Sequence, residues 1–349
     1  MTDVLVLGGT GWLSGRVAEK WTVPTATPRA AGASRGASGR VGPTGAAVTC
    51  LARGGREAPY GATLVVGDRD DPGAYDAVAG RDWDEIVDIS SNPAHVASAL
   101  EALAGRTRHW TYISTVSVYA ANDEPGADES AGLLALGDAG ADEDYGRAKV
   151  RAEASVRASL GFRAAIVRPG LIVGPGDPTD RFGYWVGRFA LAGDGEVLTP
   201  ETTERGAQVI DVDDLAEFVQ AIGRERWTGV VNAVGDPVGL DRLLADAREV
   251  AGHTGAVVPA ADAWLEAHDV AYWAGPRSLP LWLPADTTGF WTRSNTAYRL
   301  LGGRLRPVRE TLERTLADER KRGLDRERRA GLTRSDELAL LDLLGDSRA

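Results

Sequence analysis

The most constraining feature of this chain lies near its start, in LVLGGTGWLSGRVAEKW, residues 5–21. An apolar run stops on two glycines, a third glycine follows at position 11, and a helical pattern begins at once. A parallel strand that feeds directly into a helix, with a pyrophosphate against the helix start, needs glycines where a Cβ atom would clash. The alternative is a tight strand-to-helix connection without a ligand. We predict a dinucleotide site that includes Gly8, Gly9, Thr10, Gly11, Trp12 and Leu13.

Short apolar runs, each bounded by Gly, Asp or Pro, recur through the first half of the chain. Nearly continuous apolar strands of this kind are typical of a parallel sheet that is buried between helices on both faces. The pattern therefore predicts an α/β fold with a Rossmann-type, doubly wound parallel sheet. The predicted strands are DVLVLGG, AAVTCLAR, ATLVVGD, WDEIVDIS, HWTYISTVSVY and FRAAIVRPG.

The pattern also suggests how the chain is divided. We predict a core over residues 1–170, in which residues 24–47, rich in Ala, Gly, Pro and Ser, form a mobile surface insertion. A smaller carboxyl-terminal substrate lobe, 171–317, is interleaved with the last core elements at 207–234. Charged amphipathic helices occupy 318–349.

Composition excludes several classes of function. A net charge of -11 disfavours general binding to nucleic acid or to an anionic membrane. A single cysteine, Cys50, rules out an internal disulfide, and the four histidines lack metal-ligand spacing, so we expect no metal site. No apolar stretch approaches the roughly 20 residues of a membrane span. Only three residues precede the first apolar run, so we expect no cleavable signal and a cytoplasmic location.

The end of the second predicted strand bears on the choice of nucleotide. An NAD site typically places an acidic side chain there, against the ribose 2′-hydroxyl. This chain instead has Arg53 and Arg56, and a guanidinium suits a 2′-phosphate. We therefore favour NADP(H), with NAD(H) as the alternative. Asp68, at the end of the third predicted strand, is expected near the adenine, although a turn aspartate has the same pattern.

A second group of residues points to proton transfer. Tyr145 and Lys149 are four residues apart on a predicted helix, so they share one face. A tyrosine is a poor acid or base near neutral pH unless a cation stabilises its phenolate, which Lys149 is placed to do. Ser114 and Thr115 interrupt the fifth apolar run at its carboxyl end, where a hydroxyl faces the nucleotide cleft and can bind a substrate oxygen.

These motifs together resemble the short-chain dehydrogenase/reductase superfamily, in its extended or closely related atypical branch, often labelled NAD-dependent epimerase/dehydratase. The resemblance rests on VLVLGGTGWLSG, YISTVSVY, YGRAK, IVRPGLIVGPG and VIDVDDLAEFV, in that order. It implies catalysis by Thr115, Tyr145 and Lys149, with Lys149 also binding the cofactor. It further implies that the cofactor is lined by Ser90, Ser91, Pro169 and Gly170.

The expected function is an NAD(P)-dependent reductase or epimerase that acts on a secondary alcohol or carbonyl of a small molecule. Sugar dehydration is not expected, because Val116 and Ser117 replace the carboxylates that relatives use to eliminate water. The alternative is a non-catalytic NADP-binding redox sensor or an RNA-associated protein of the same fold. An alanine-rich face of the helix that carries Lys149 is compatible with a homodimer, and equally with internal packing.

For the substrate we single out the segment TDRFGYWVGRF. Tyr184 and Arg188 can share a helix face, and Arg181 or Arg188 can hold an anionic group such as a diphosphate or carboxylate. Ordinary surface arginines would give the same pattern. The chemical identity of the substrate does not follow from the sequence.

Overall fold

A computed structural model describes residues 2–23, 45–137 and 144–346. Most of the predicted insertion, residues 24–44, and the last three residues of the chain lie outside this description. The chain divides into two compact units. The first comprises residues 1–118, 134–168 and 216–231, and the second comprises 119–133, 169–215 and 232–349. The second unit is about as large as the first, and it takes in residues 119–133, which lie within the predicted core.

The first unit is built on a seven-stranded sheet. Its strands are β1 (Asp3–Leu7), β2 (Ala47–Ala52), β3 (Ala62–Val66), β4 (Glu85–Asp88), β5 (Trp110–Ile113), β6 (Ala164–Pro169) and β10 (Gly229–Ala233). Their order in the sheet is β3, β2, β1, β4, β5, β6, β10, and the pairings from β3 to β6 are parallel. The order reverses direction between β1 and β4, which is the point where open α/β sheets bind ligands. This is the predicted Rossmann-type sheet.

Helices connect these strands. They are α1 (Trp12–Thr22), α2 (Asp76–Ala79), α3 (Pro93–Leu103), α4 (Tyr145–Leu160) and α6 (Val212–Arg224). Side-chain caps fix two helix starts, because Asn92 accepts from the N–H of Ala94 and Asp144 from the N–H of Gly146. Apolar side chains of α3 and α4 pack with the sheet in a buried cluster that contains Trp83. The burial of these apolar side chains is the main contribution that stabilises the packing of the helices on the sheet.

The fifth predicted strand is shorter than its apolar run. β5 ends at Ile113, and residues Val116–Val118 form a 3₁₀ turn instead of continuing the strand. The cause is local, because Thr115 Oγ1 accepts a hydrogen bond from the backbone N–H of Ser117 at 3.1 Å and so competes with sheet pairing. Ser114 and Thr115 therefore follow the strand rather than lying inside it.

The second unit carries three small sheets and its own core. Its strands are β7 (Leu171–Val173), β8 (Val197–Pro200), β9 (Gly206–Asp211), β11 (Pro237–Gly239), β12 (Val257–Ala260), β13 (Ala271–Trp273) and β14 (Ser278–Pro280). Its helices are α5 (Arg181–Ala192), α7 (Leu240–Ala251), α8 (Asp262–Ala267), α9 (Thr296–Leu300), α10 (Val308–Arg322) and α11 (Arg334–Asp346). A separate buried cluster that includes Trp185 and Trp282 fills this unit. Among the described residues, no helix is both long and apolar enough to cross a membrane.

Candidate active site

The turn after β1 has the geometry that its glycines predict. Gly8 has a φ of 76°, a left-handed conformation that favours glycine, and its N–H donates to Leu51 O at 2.8 Å. A Cβ atom on Gly9 would lie 2.5 Å from the sulfur of Cys50, so this glycine allows β1 and β2 to approach. Ser14 donates its hydroxyl to Gly8 O, which closes the turn from the first turn of α1. Ser14 thus has a structural role in the glycine turn.

A crevice of about 770 Å³ opens at the carboxyl ends of β1 to β4. This volume suits a small-molecule or cofactor site. Six of the predicted cofactor residues line it directly, and each comes from a loop that follows a strand. They are Gly8, Thr10, Gly11, Arg53, Asp68 and Ser90. Backbone N–H groups at the start of α1, with the small residues Gly8, Ala52 and Gly67 at the ends of three strands, fit a dinucleotide.

Charged side chains ring one side of this crevice. Arg53 and Arg56 are exposed and line it from the loop after β2. Asp68 lines it after β3, and Asp70 in the same loop pairs with His95 at 2.6 Å. The crevice therefore presents two exposed cationic side chains beside an acidic loop, and such a setting can distinguish a 2′-phosphate from a 2′-hydroxyl.

Lys149 is buried beneath the same edge of the sheet, with 2% of its surface exposed. Its Nζ donates to Ile113 O at 2.6 Å, to Ser90 O at 2.9 Å and to Ile89 O at 3.4 Å. Burial lowers the pKa of Lys149 to about 8, against the opposing effect of the Asp88 and Glu153 charges. Ser90 both lines the crevice and holds the ammonium, so Lys149 and the crevice are neighbours.

The two other predicted catalytic residues belong to the same unit. Tyr145 is the first residue of α4 and leaves 51% of its surface exposed, one helical turn before Lys149. Thr115 is buried after β5 and donates its hydroxyl to Ser117 Oγ at 3.2 Å. The backbone thus brings Thr115, Tyr145 and Lys149 to the carboxyl edge of β5, where a half-exposed phenol can meet a substrate.

Several predicted cofactor residues are not among those that line this crevice. Gly9 packs against β2, as described above, and Leu13 is buried in α1. Trp12 is partly buried at the start of α1, and Ser91 is exposed just before α3. Pro169 and Gly170 belong to the second unit, where the Gly170 N–H donates to Ala233 O at 3.3 Å. Their roles toward a cofactor stay predictions.

The predicted substrate residues lie on α5 in the second unit. Tyr184 and Arg188 are both buried, and the Arg188 guanidinium lies 5.2 Å from the centre of the Tyr184 ring. Arg188 donates to Leu332 O at 2.5 Å and forms an ion pair with buried Glu337 at 3.3 Å. An arginine whose charge is balanced inside the protein is poorly placed to hold a ligand anion. Arg181 is partly buried and its guanidinium lies 4.8 Å from the centre of the Trp273 ring.

Sequence reasoning missed Asp88 and Tyr112, which act on Lys149, and Arg69, which pairs with Asp88. Asp88 and Arg69 form a buried ion pair at the edge of the crevice, and Tyr112 places its ring 4.8 Å from the lysine Nζ. Burial, followed by the charges of Asp88 and Tyr145, raises the pKa of Tyr112, so its hydroxyl stays neutral and donates to Ser90 O at 3.0 Å. A signal was present in the sequence, because Asp88 is an acid at the carboxyl end of the predicted strand WDEIVDIS.

The fold and the site define a class of protein, a Rossmann-type protein with a crevice at the carboxyl edge of its sheet and a tyrosine and a lysine on one helix beside it. The family model for the NAD dependent epimerase/dehydratase family matches residues 4–233, which is well over half of the chain. The chain therefore belongs to the NAD-dependent epimerase/dehydratase family. No curated protein matches the chain in sequence.

Solved structures of low sequence identity share the fold. UDP-N-acetylglucosamine 4-epimerase from Bacillus cereus is 15% identical with a TM-score of 0.63, and the match covers 95% of this chain and 100% of that one. UDP-glucuronic acid 4-epimerase from Bacillus cereus, determined in complex with NAD, is 12% identical with a TM-score of 0.63 and the same coverage. UDP-N-acetylglucosamine 4-epimerase from Methanobrevibacter ruminantium is 15% identical with a TM-score of 0.64, covering 93% of this chain and 100% of that one. At these identities the likeness is one of fold.

Proposed function

We propose that this protein is an NAD(P)-dependent reductase or epimerase that acts on a secondary alcohol or carbonyl of a small molecule. The observation that carries the proposal is the position of Lys149. Its buried ammonium is held by Ser90 O, and Ser90 also lines the crevice that fits a dinucleotide. A cofactor site and a proton-transfer site are thereby joined through one residue.

Each of the three residues has a distinct task in this proposal. Tyr145 exchanges a proton with the substrate oxygen, and Thr115 donates a hydrogen bond to that oxygen. Lys149 stabilises the Tyr145 phenolate through its positive charge. The dinucleotide, when bound, supplies the nicotinamide ring that accepts or returns a hydride. Reduction and epimerisation both need these same three tasks, so the proposal covers both.

The cofactor proposal is NADP(H), with NAD(H) as the alternative. Arg53 and Arg56 are exposed at the rim of the crevice, where their guanidinium groups can bind a 2′-phosphate in a bidentate way. The family name refers to NAD, and a structural neighbour was determined with NAD. Titration with both dinucleotides, followed by tryptophan fluorescence, measures the preference directly. If neither quenches the fluorescence, the cofactor proposal is wrong.

The catalytic proposal is tested with Tyr145→Phe on a panel of carbonyl substrates with the preferred dinucleotide. We expect turnover to fall at least about 100-fold, because general acid–base catalysis typically contributes that much, while the dinucleotide affinity stays unchanged. Tyr60→Phe is the matched control, since Tyr60 is fully exposed in the loop before β3. A Tyr145→Phe rate equal to that of the parent would overturn the mechanism. Binding without any turnover would instead favour a non-catalytic sensor.

A further inference from the structure

The ion pair between Asp88 and Arg69 is fully formed at the end of β4. Asp88 is completely buried, and its two carboxylate oxygens accept from Arg69 Nη1 at 2.8 Å and Nη2 at 2.9 Å. Asp88 Oδ1 also accepts from the Ser90 N–H at 3.0 Å. The guanidinium also donates from Nε to Tyr75 Oη at 2.9 Å and from Nη2 to His95 O at 2.7 Å. Such a bidentate pair fixes geometry as well as charge.

The same short segment of chain holds the ammonium of Lys149. Two of the three carbonyls that accept from Lys149 Nζ belong to Ile89 and Ser90, the two residues that follow Asp88. The Asp88 side chain thus binds one cation while the backbone of the next two residues binds another. Segment 88–90 therefore binds both the Arg69 guanidinium and the Lys149 ammonium. The hydrogen bond from the Ser90 N–H to Asp88 Oδ1 fixes the backbone conformation of this segment.

We propose that Asp88 is a positioning residue for Lys149. Asp88 holds the backbone of residues 88–90 in the conformation whose carbonyls accept from the Lys149 ammonium, and it supplies a negative charge that attracts the ammonium. Arg69 shares the Asp88 charge and so weakens this attraction. This inference rests on the proposed function, in which Lys149 stabilises the Tyr145 phenolate. It extends the site to a buried pair that contacts neither the tyrosine nor the threonine in any described hydrogen bond.

The other charged and titratable groups around Lys149 do not replace Asp88. Glu153 also attracts the ammonium, but its carboxylate accepts two hydrogen bonds from buried Arg168 and a third from Arg157. Tyr112 faces Lys149 with its ring and stays neutral. Tyr145 stands one helical turn away. In the described part of the chain, Asp88 has a single arginine partner, so more of its charge remains for Lys149.

The chain has three lysines, Lys20, Lys149 and Lys321, so the titration of Lys149 can be followed without a substrate. NMR of the protein labelled with ¹³C at the lysine ε-carbon gives three signals, and Lys149→Met identifies the one of interest. In the parent protein we expect Lys149 to titrate with a pKa of about 8, compared with 10.5 for an ordinary lysine. The measurement uses the full chain as it is.

Asp88→Asn should lower the pKa of Lys149 by about one unit, a tenfold change, because an attractive charge is lost. Mere loosening of segment 88–90 would admit water and raise the pKa toward 10.5 instead. The direction of the shift therefore separates the proposed role from a structural one. An upward shift or no shift overturns the proposal. Asp82→Asn, which removes an exposed carboxylate paired with Arg106, should change nothing.

Arg69→Gln provides the second half of the test. It should raise the pKa of Lys149, because the Asp88 charge is then no longer shared. Adding Asp88→Asn to Arg69→Gln should lower the pKa of Lys149 again. This double variant removes both members of the Asp88–Arg69 ion pair together, so neither is left buried without the other, and the test stays valid if Asp88→Asn alone does not fold. A double variant that titrates at or above the Arg69→Gln value overturns the proposal.

Titration of the same samples with NADPH and NADH separates this inference from the proposed function. Dinucleotide binding together with an unchanged Lys149 titration in Asp88→Asn would reject the role of Asp88 and leave the proposed function intact. The predicted shifts without binding of either dinucleotide would reject the proposed function, and Asp88 would then be the electrostatic partner of a lysine with another task.

Discussion

The two ends of β4 each hold a buried carboxylate, and the two carboxylates differ in their surroundings and in their roles. At the first residue, Glu85 accepts from His109 Nδ1 at 2.5 Å and from Thr111 Oγ1 at 2.6 Å. At the last residue, Asp88 binds Arg69 at the edge of the crevice. Both acids are buried and both are paired with a potential cation. The difference lies in what surrounds them.

The amino-terminal end of the strand is closed. His109 Nε2 faces Trp227 O at 2.7 Å, so both ring nitrogens meet acceptors and the imidazole binds best when doubly protonated. Burial opposes this charge, but the hydrogen bond and charge of Glu85 raise the pKa of His109 overall. A Cβ atom on Gly223 would lie 3.1 Å from the carboxyl carbon of Glu85, so no space remains there for a ligand.

The carboxyl-terminal end of the strand is open. Parallel strands bring all of their carboxyl ends to one edge, and loops leave that edge in both directions where the strand order reverses. The crevice and Lys149 both lie there. Two buried acids on one strand can therefore be told apart by their surroundings: the acid within a filled core contributes stability, and the acid beside a cavity serves the site.

The largest effect expected from this contrast is on the free energy of unfolding. Glu85→Ala should lower it by about 3 kcal/mol, because a buried pair that loses one partner leaves His109 and Thr111 unsatisfied. Dinucleotide affinity should not change. Urea denaturation and fluorescence titration measure the two quantities. A loss of nucleotide binding in the folded variant would show that the two ends are coupled and break the comparison.

A smaller effect should appear in how stability depends on pH. The folded protein holds Lys149 at a pKa of about 8, while the unfolded chain binds the same proton up to about 10.5. The unfolded state thus binds more protons at this residue in this window, so Lys149 by itself should contribute a gain of about 2 kcal/mol in stability from pH 8 to 10. Lys149→Met should abolish that gain, measured by urea denaturation at each pH.

In the same experiment, the contribution of His109 to stability should change with pH in the opposite direction to that of Lys149. Its folded pKa is raised, so its contribution is fully present below pH 6.5 and is lost as pH rises through the raised value. The destabilisation caused by His109→Gln should therefore shrink with rising pH. If both variants showed the same direction of pH dependence, the electrostatic contrast between the two ends of β4 would be wrong.

The smallest effect concerns the rim of the crevice. Arg53→Ala should weaken NADPH binding about tenfold through loss of one charge-assisted contact to the 2′-phosphate, and leave NADH binding unchanged. Arg106→Ala, at an exposed ion pair with Asp82, is the control. Equal weakening of both dinucleotides would mean that Arg53 does not read the 2′ position.

Much of the fold could be predicted because it depends on sequence patterns that span only a few residues. Each of the six predicted apolar runs contains a strand of the main sheet, and the glycine turn follows β1 as expected. Periodicity and glycine spacing act within a few residues, so they are readable from sequence. The fifth run was too long, because the hydroxyl of Thr115 bonds to its own backbone two residues on, and apolar periodicity does not register that competition.

The substrate residues show where this kind of reasoning ends. Tyr184 and Arg188 were placed on one helix face correctly, and the cation lies over the ring. Whether that face meets a ligand or the core depends on the partner of Arg188, and that partner is Glu337, about 150 residues later in the chain. Helical spacing predicts neighbours on a helix but not what packs against them.

By itself, the sequence determined the parallel sheet, the glycine turn and the pairing of Tyr145 with Lys149 on one helix, since each depends on residues close together in the chain. The tertiary structure alone decided that Lys149 is buried against three carbonyls, that Asp88 meets Arg69, and that Arg188 is neutralised inside the second unit. The free energy of a charge depends on its solvent and its partners, and both are set only when distant segments fold together.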